Sequence, residues 1–398
     1  MSPAFLQLVP FCVLLFLLQG LAALPWMIAL SRQPAREQQW FLLKVVGAIT
    51  LGGIVFASIL QASSDPGVVG LWGRFYASVL FLQLGIDFFI VVFYLMLTFW
   101  SKAGGVALAA FQEGVRQPMF WLLTILGSAA MVISIVIPYF TFGEDTKMVK
   151  EITYALTMIF PAIFGVINSS ISVSEEIEGR TAVTLLSKPV LRRDFLLGKF
   201  IGITLAAAFM TMFMSFSLVW VILAKTHYDH QPGLTTLPPD PTWLLDLISK
   251  TYGQTISGDL LKGVGMWVSD CGEALPGLMI GFGQVMTMVA ISVALATRVP
   301  MVVNLAACLV IYLLGHLAPI VTEVSRPISG LVRFVAQLFE LLLPGLAMFD
   351  VSTAIIREAP LDTVQYTVYT INVAIYALIY TAIAMLTGLI LFEDRDVA

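Results

Sequence analysis

The sequence predicts an all-α polytopic integral membrane protein with about nine transmembrane helices, an interfacial elbow helix and a short cytoplasmic helix. Composition gives the class: 59% of the 398 residues are hydrophobic and only 12% are charged. The apolar residues also fall in runs long enough to cross a hydrocarbon core about 30 Å thick, which takes about 20 residues of helix. Finally, nine of the 26 residues from Ser174 to Lys199 are charged, which marks one segment as an aqueous surface inside an oily chain. A net charge of −4 without a basic face speaks against a nucleic-acid partner.

The nine expected spans lie at roughly 6–30, 42–61, 76–100, 120–139, 152–173, 195–224, 276–297, 300–321 and 369–392. The first reads as a retained helix, because "MSPAFLQLVPFCVLL" lacks the positive start of a secretory signal. Spans one to three make an N-terminal membrane region over 1–100, and a second part follows over 101–398. Asp87, near the middle of span three, reads either as a functional intramembrane carboxylate or as a buried packing contact to a polar neighbour.

The stretch "SKAGGVALAAFQEGVRQP" breaks the hydrophobicity. Leu108, Phe111 and Val115 recur there at helical spacing, largely opposite Gln112, Glu113, Arg116 and Gln117. This is the pattern of an interfacial amphipathic elbow helix stopped by Pro118; a solvated loop is the plainer reading. The long connection over 225–275 opens on turn formers and is expected to hold short helices around Trp243–Thr251 and Asp259–Trp267. In "SGLVRFVAQLFELLLPG", Arg333, Gln337 and Glu340 form one polar stripe before Pro344 and Gly345. An interfacial or re-entrant helix fits that better than a span.

Basic residues favour the cytoplasmic side. With the N-terminus outside and the C-terminus cytoplasmic, twelve of the 21 Lys and Arg fall on cytoplasmic segments. Three follow span one, and only Arg74 lies between spans two and three. The charged stretch is then cytoplasmic. Within it, Glu176 and Arg180 stand at i, i+4 with the acid first, and Ala182, Val183, Leu185 and Leu186 supply an apolar side. Pro189 closes the helix, and a second begins near Arg192 and enters span six. Gly198, Gly202 and Ala206 recur every four residues, a spacing that lets membrane helices approach closely. The segment reads as a short amphipathic helix whose polar side meets a soluble partner, or as a charged loop whose basic residues only anchor topology.

The stretch "SVSEEIEGRTAVTLLSKPVLRRDFLLGKFIGI" resembles the permease subunits of the ABC type-2 exporter family. It is similar in particular to the branch serving nitrous-oxide reductase, or multicopper enzyme, maturation. The resemblance is carried by Glu175–Glu176, Glu178 to Thr181, Leu185 to Pro189, Arg192–Arg193 and Leu196 to Lys199. The stretches "AFQEGVRQPMFWLLTILG" and "ATRVPMVVNLAACLVIYLLGHLAP" extend the likeness over about 103–398. It implies a coupling helix over 174–189 docked on a separate ABC ATPase subunit, which uses the ATP and magnesium, while this chain binds no cofactor. The docking residues would be Glu175, Glu176, Glu178, Gly179, Arg180, Thr181, Leu185, Leu186, Ser187, Lys188, Pro189, Arg192 and Arg193. It also implies a second permease chain, the same or related, enclosing one pathway in the cell membrane.

The chain itself contains no G-x-x-x-x-G-K-[ST] phosphate loop. In "RDFLLGKF", Arg193 stands where the first Gly belongs and Phe200 where Ser or Thr is required. A membrane-embedded enzyme would need a matched constellation such as two intramembrane aspartates or H-E-x-x-H, and neither occurs. A scaffold that recruits an ATPase without transporting is the other rival. The "HYDH" run at 227–230 and the methionines Met210, Met212, Met214, Met286 and Met288 read as loop and core filler rather than metal sites. No polar cluster in the sequence defines a substrate pocket.

Overall fold

The computed structural model describes residues 3–30, 35–63, 65–137, 139, 145–178, 191–229, 242–325, 330–350 and 363–393. The described residues are all-helical, without strands. Eight of the helices are long and apolar enough to cross a membrane; a ninth span arises if one bent pair is counted as a single crossing. The described residues fall into two compact units, one made of 1–94 with 242–273 and the other of 95–229 with 274–393. The connection at 242–273, expected to be a loop of the second part, thus packs with the first helices.

In the first unit, α1 (Pro3–Leu30), α2 (Ala35–Ala62) and most of α3 (Pro66–Phe99) pack together. They are joined by α8 (Thr242–Tyr252) and the start of α9 (Ile256–Ala296). Leu8, Cys12, Leu15, Phe56, Ala57, Leu60, Val69, Tyr76 and Leu260 form its core. Asp65 caps α3 by accepting the Gly67 N–H at 2.9 Å, and Pro66 follows where its missing N–H costs nothing. The helix therefore starts ten residues before the expected span at 76. Arg74 stands inside it, paired with Asp270 at 2.9 Å, instead of in a loop between spans. Gly253, at φ 61°, ends α8 in the left-handed turn that only glycine takes without strain. Thr255 then caps α9 through the Gly258 N–H at 3.2 Å. The expected helix at 259–267 is thus the first part of α9, continuous with span seven.

The second unit holds α4 (Ser101–Arg116), α5 (Pro118–Ser134), α6 (Asp145–Glu178), α7 (Arg192–Tyr228) and the rest of α9. It also holds α10 (Met301–Ser325), α11 (Gly330–Leu342), a 3-10 turn (Leu346–Phe349) and α12 (Thr363–Glu393). Pro118 removes a backbone donor between α4 and α5, and the two helices meet at 59°. Phe120 and Phe164 meet edge to face, and Phe120 stacks on Phe209, tying α5 and α6 to α7. Met210 and Met214 are wholly buried in this packing, and the Met214 methyl fills the space over Gly127. With 13 residues, α11 is about 20 Å long, too short to cross a hydrocarbon core. It ends at Pro344, and the Gly345 N–H then donates to the Tyr376 hydroxyl at 2.8 Å.

Candidate functional site

The charged stretch that stands out in the sequence is continuous with α6 through Glu178. Gly179, Arg180, Thr181, Leu185, Leu186, Ser187, Lys188 and Pro189 lie outside the described residues, as do the side chains of Glu175 and Glu178. What is described is the pair of helix ends that hold this segment, and both are tied into the bundle.

On the α6 side, Lys199 of α7 is the hub. Its side chain is 5% exposed, and Nζ donates to Glu176 Oε1 at 2.6 Å and to Ser172 Oγ at 2.8 Å. Glu113 of α4 lies 3.5 Å away and accepts the Ser172 hydroxyl at 3.2 Å. A buried ammonium is tolerable only with such partners. Glu113 is half-exposed, so its longer contact is screened and Glu176 dominates. Glu176 is thus held by a side chain 23 positions away; Arg180, its expected neighbour one turn on, lies outside the described residues.

Above this hub, the last turns of α6 are clamped to α9 and α10. Ser169 donates to Ser292 Oγ at 2.6 Å. The Asn304 amide donates to Ser170 Oγ at 2.9 Å and to the Ser292 carbonyl at 3.0 Å. All four side chains are fully buried. Buried polar groups require partners, and here they supply them to one another, which fixes the register of three helices. Ser174 reaches the Val299 carbonyl at 3.4 Å.

On the α7 side, the Arg192 guanidinium donates to the carbonyls of Phe392 and Glu393, both at 3.0 Å, and lies over the Phe392 ring. Arg298 takes the Leu391 carbonyl at 2.8 Å. The end of α12 leaves carbonyls without helical partners and carries partial negative charge, and two cations satisfy three of them. Arg193, one residue on, has a side chain 70% exposed. Asp194 is buried in the first turn of α7, where the helix dipole favours an anion, and accepts the Trp100 indole N–H at 3.1 Å.

The small-residue stripe of α7 faces α4. A Cβ on Gly198 would stand 2.7 Å from Val106 and 2.8 Å from the Ala103 carbonyl, and one on Gly202 would fall onto the Ala107 carbonyl. Ala206 lies across from Gly114. The buried face of α4 is accordingly Ala103, Gly104, Ala107, Ala110 and Gly114. Leu108, Phe111 and Val115, read as its apolar face, are only half-buried on the flank, while Gln112, Glu113 and Arg116 are exposed. The reason is geometric: backbones that approach closely bury small residues, and the larger apolar ones are left at the sides.

The remaining expectations lie elsewhere. Asp87 is half-buried in α3, and its Oδ1 is buried without a hydrogen bond among the described residues. Asp229 pairs with Lys225 at 3.0 Å, and His227 Nδ1 bonds the Leu223 carbonyl at 2.9 Å; His230 lies outside the described residues. Among the described residues no group of three His, Cys, Asp or Glu is placed to hold a metal ion.

Residues 111–239 match the model of the family described as "ABC-2 family transporter protein". The match runs from α4 past the end of α7 and includes the whole charged stretch. It supports an ABC-2 type permease, a membrane transport component. No curated protein matches the chain. Sequence reasoning named Lys199 through its motif but gave it no partner, and it missed Ser169, Ser170, Ser292 and Asn304. A hydroxyl or amide inside the end of an expected span was the available signal.

Proposed function

We propose that this chain is the membrane-spanning permease subunit of an ATP-binding cassette exporter, driven by a separate ATPase that docks on the 174–189 segment. The family match over 111–239 carries this reading, because it covers that segment and both helices flanking it. The geometry at the two ends is what a lever needs. Displacement of the segment would be passed through Glu176–Lys199 to α4 and α7, and through Arg192 to α12. The ATP and magnesium belong to the partner, and a second permease chain completes the pathway.

The gathering of Arg192, Arg193, Lys199 and Arg298 at one end of the bundle supports placing that end in the cytoplasm, with the N-terminus outside. Residues 1–100, with which 242–273 pack, are then a membrane region added to the permease core carried by the rest of 101–398. The likeness of 172–202 to multicopper enzyme maturation permeases supports that branch within the family.

The test is assembly and coupling with the ATPase co-expressed from its own reading frame. Glu178→Lys, or Leu185→Asp with Leu186→Asp, should insert normally but reduce ATPase co-purification or uncouple hydrolysis from transport at least tenfold. Variants that bind the ATPase and transport like the parent would overturn the docking assignment. An ATPase bound with turnover indifferent to any transported compound would identify a scaffold instead.

A further inference from the structure

Towards the opposite end of α6 from the Lys199 hub, about 20–37 Å along the helix at 1.5 Å per residue, the second unit holds a cavity of ≈ 230 Å³. Four separate stretches line it: the start of α6, the α9 segment from Gly277 to Gln284, the outer half of α10, and the end of the 3-10 turn. Its floor is apolar and aromatic. Met158 and Phe349 are buried there, and Tyr154 and Tyr312 present ring surface. Gln284, only 6% exposed, is hydrogen-bonded to Tyr312. At the rim stand two exposed carboxylates, Glu151 and Asp350.

The polar chemistry of this lining has one sign. No Lys or Arg is among its described residues. His316 is engaged through Nδ1, which donates to the Tyr312 backbone carbonyl at 2.9 Å, since a carbonyl can only accept. Two carboxylates and an amide oxygen call for a ligand that donates hydrogen bonds and carries positive charge. The tyrosine and phenylalanine faces suit either an apolar body or the cation itself. A bare metal ion fits poorly, because Glu151, His316 and Asp350 do not converge as a metal-holding group. The cavity also lies below the ~300–1,000 Å³ of drug-sized sites, so the ligand is small.

We infer that this cavity is a binding site for a small organic cation, an amine with an apolar or aromatic body. The ammonium sits at Glu151 and Asp350, and the body lies against Tyr312 and Phe349. The inference rests on the cavity alone and holds whether or not an ATPase drives the chain.

The test uses the full chain in nanodiscs of phosphatidylcholine, with empty discs subtracted, titrated calorimetrically with three probes of one shape. These are 2-phenylethylammonium, neutral 2-phenylethanol and anionic 3-phenylpropanoate. The ammonium should bind at least tenfold more tightly than either of the others. Glu151→Gln combined with Asp350→Asn should lower ammonium binding tenfold or more and leave binding of the alcohol unchanged. The unfolding temperature of the double variant, measured alongside, checks that the fold is kept. Absence of saturable ammonium binding, equal binding of the three probes, or full affinity in the double variant would each overturn the assignment. Because no ATPase is present, failure here leaves the permease reading untouched, and failure of docking leaves this one untouched.

Discussion

Lys199 shows how a single side chain acquires meaning from the fold. In sequence it is the last residue of a Leu-Leu-Gly-Lys run; in the structure it is a buried cation whose closest anion is Glu176 at 2.6 Å. Removing one member of a buried pair leaves the other without compensation. Glu176→Ala should therefore lower stability by about 1–3 kcal/mol, the cost of stranding a buried polar group. Adding Lys199→Met to it should restore most of that loss, since an apolar side chain of similar length can occupy the same slot. Thermal unfolding in detergent of the parent, both single variants and the double variant would measure the coupling, and simple additivity would show that the pair does not interact. Arg192 and Arg193 make the complementary point. They are indistinguishable as a dipeptide, yet one caps α12 and the other has an exposed side chain 4.0 Å from Asp194.

At the scale of elements, the close approach of α4 and α7 depends on absent side chains. Gly202 lets α7 lie on the Ala107 carbonyl of α4, so Gly202→Ala must push the two helices apart. Overpacking of this kind costs about 1–3 kcal/mol. Gly105, on the same α4 helix, has nothing within 4 Å of where a Cβ would stand. Gly105→Ala should stabilise by up to about 1 kcal/mol through helix propensity alone. Opposite shifts in melting temperature would establish that the contact, and not glycine content, decides. The recurrence of small residues at 198, 202 and 206 is legible in the sequence, but the surface they pack against is not. Spacing of four marks a face without saying what lies against it. The same limit explains α4, whose buried face is its smallest side chains, and α9, whose first turns look like a loop helix until Thr255 is seen to start one continuous element.

For the whole molecule, the distribution of charge sets the expected topology. Arg193 at the start of α7 and Ser249 of α8 are both exposed, and the proposed orientation puts them on opposite sides. In a Cys271→Ser background, with Cys12 and Cys308 buried, Arg193→Cys should resist a membrane-impermeant maleimide in intact cells, and Ser249→Cys should react. The reverse pattern would invert the topology, and labelling of both would break the count of spans. Arg74 sharpens this reasoning. Counted as a loop residue, it bears on orientation; placed inside α3 against Asp270, it is a structural ion pair and says nothing about sidedness.

The sequence by itself determined the class, the approximate spans, the proline-limited breaks and the place of the charged stretch. These follow from local quantities, such as run length, helical periodicity and the missing N–H of proline, which any fold must respect. Only the tertiary structure decided which groups face one another. The hub joins residues 113, 172, 176 and 199, the buried amide network joins 169, 170, 292 and 304, and the cavity joins 151, 284, 312, 316 and 350. No helical or motif spacing links all the members of any of these sets. Each is created by the packing of helices distant in the chain, and the cost of burying polar groups without partners then holds the hub and the amide network together.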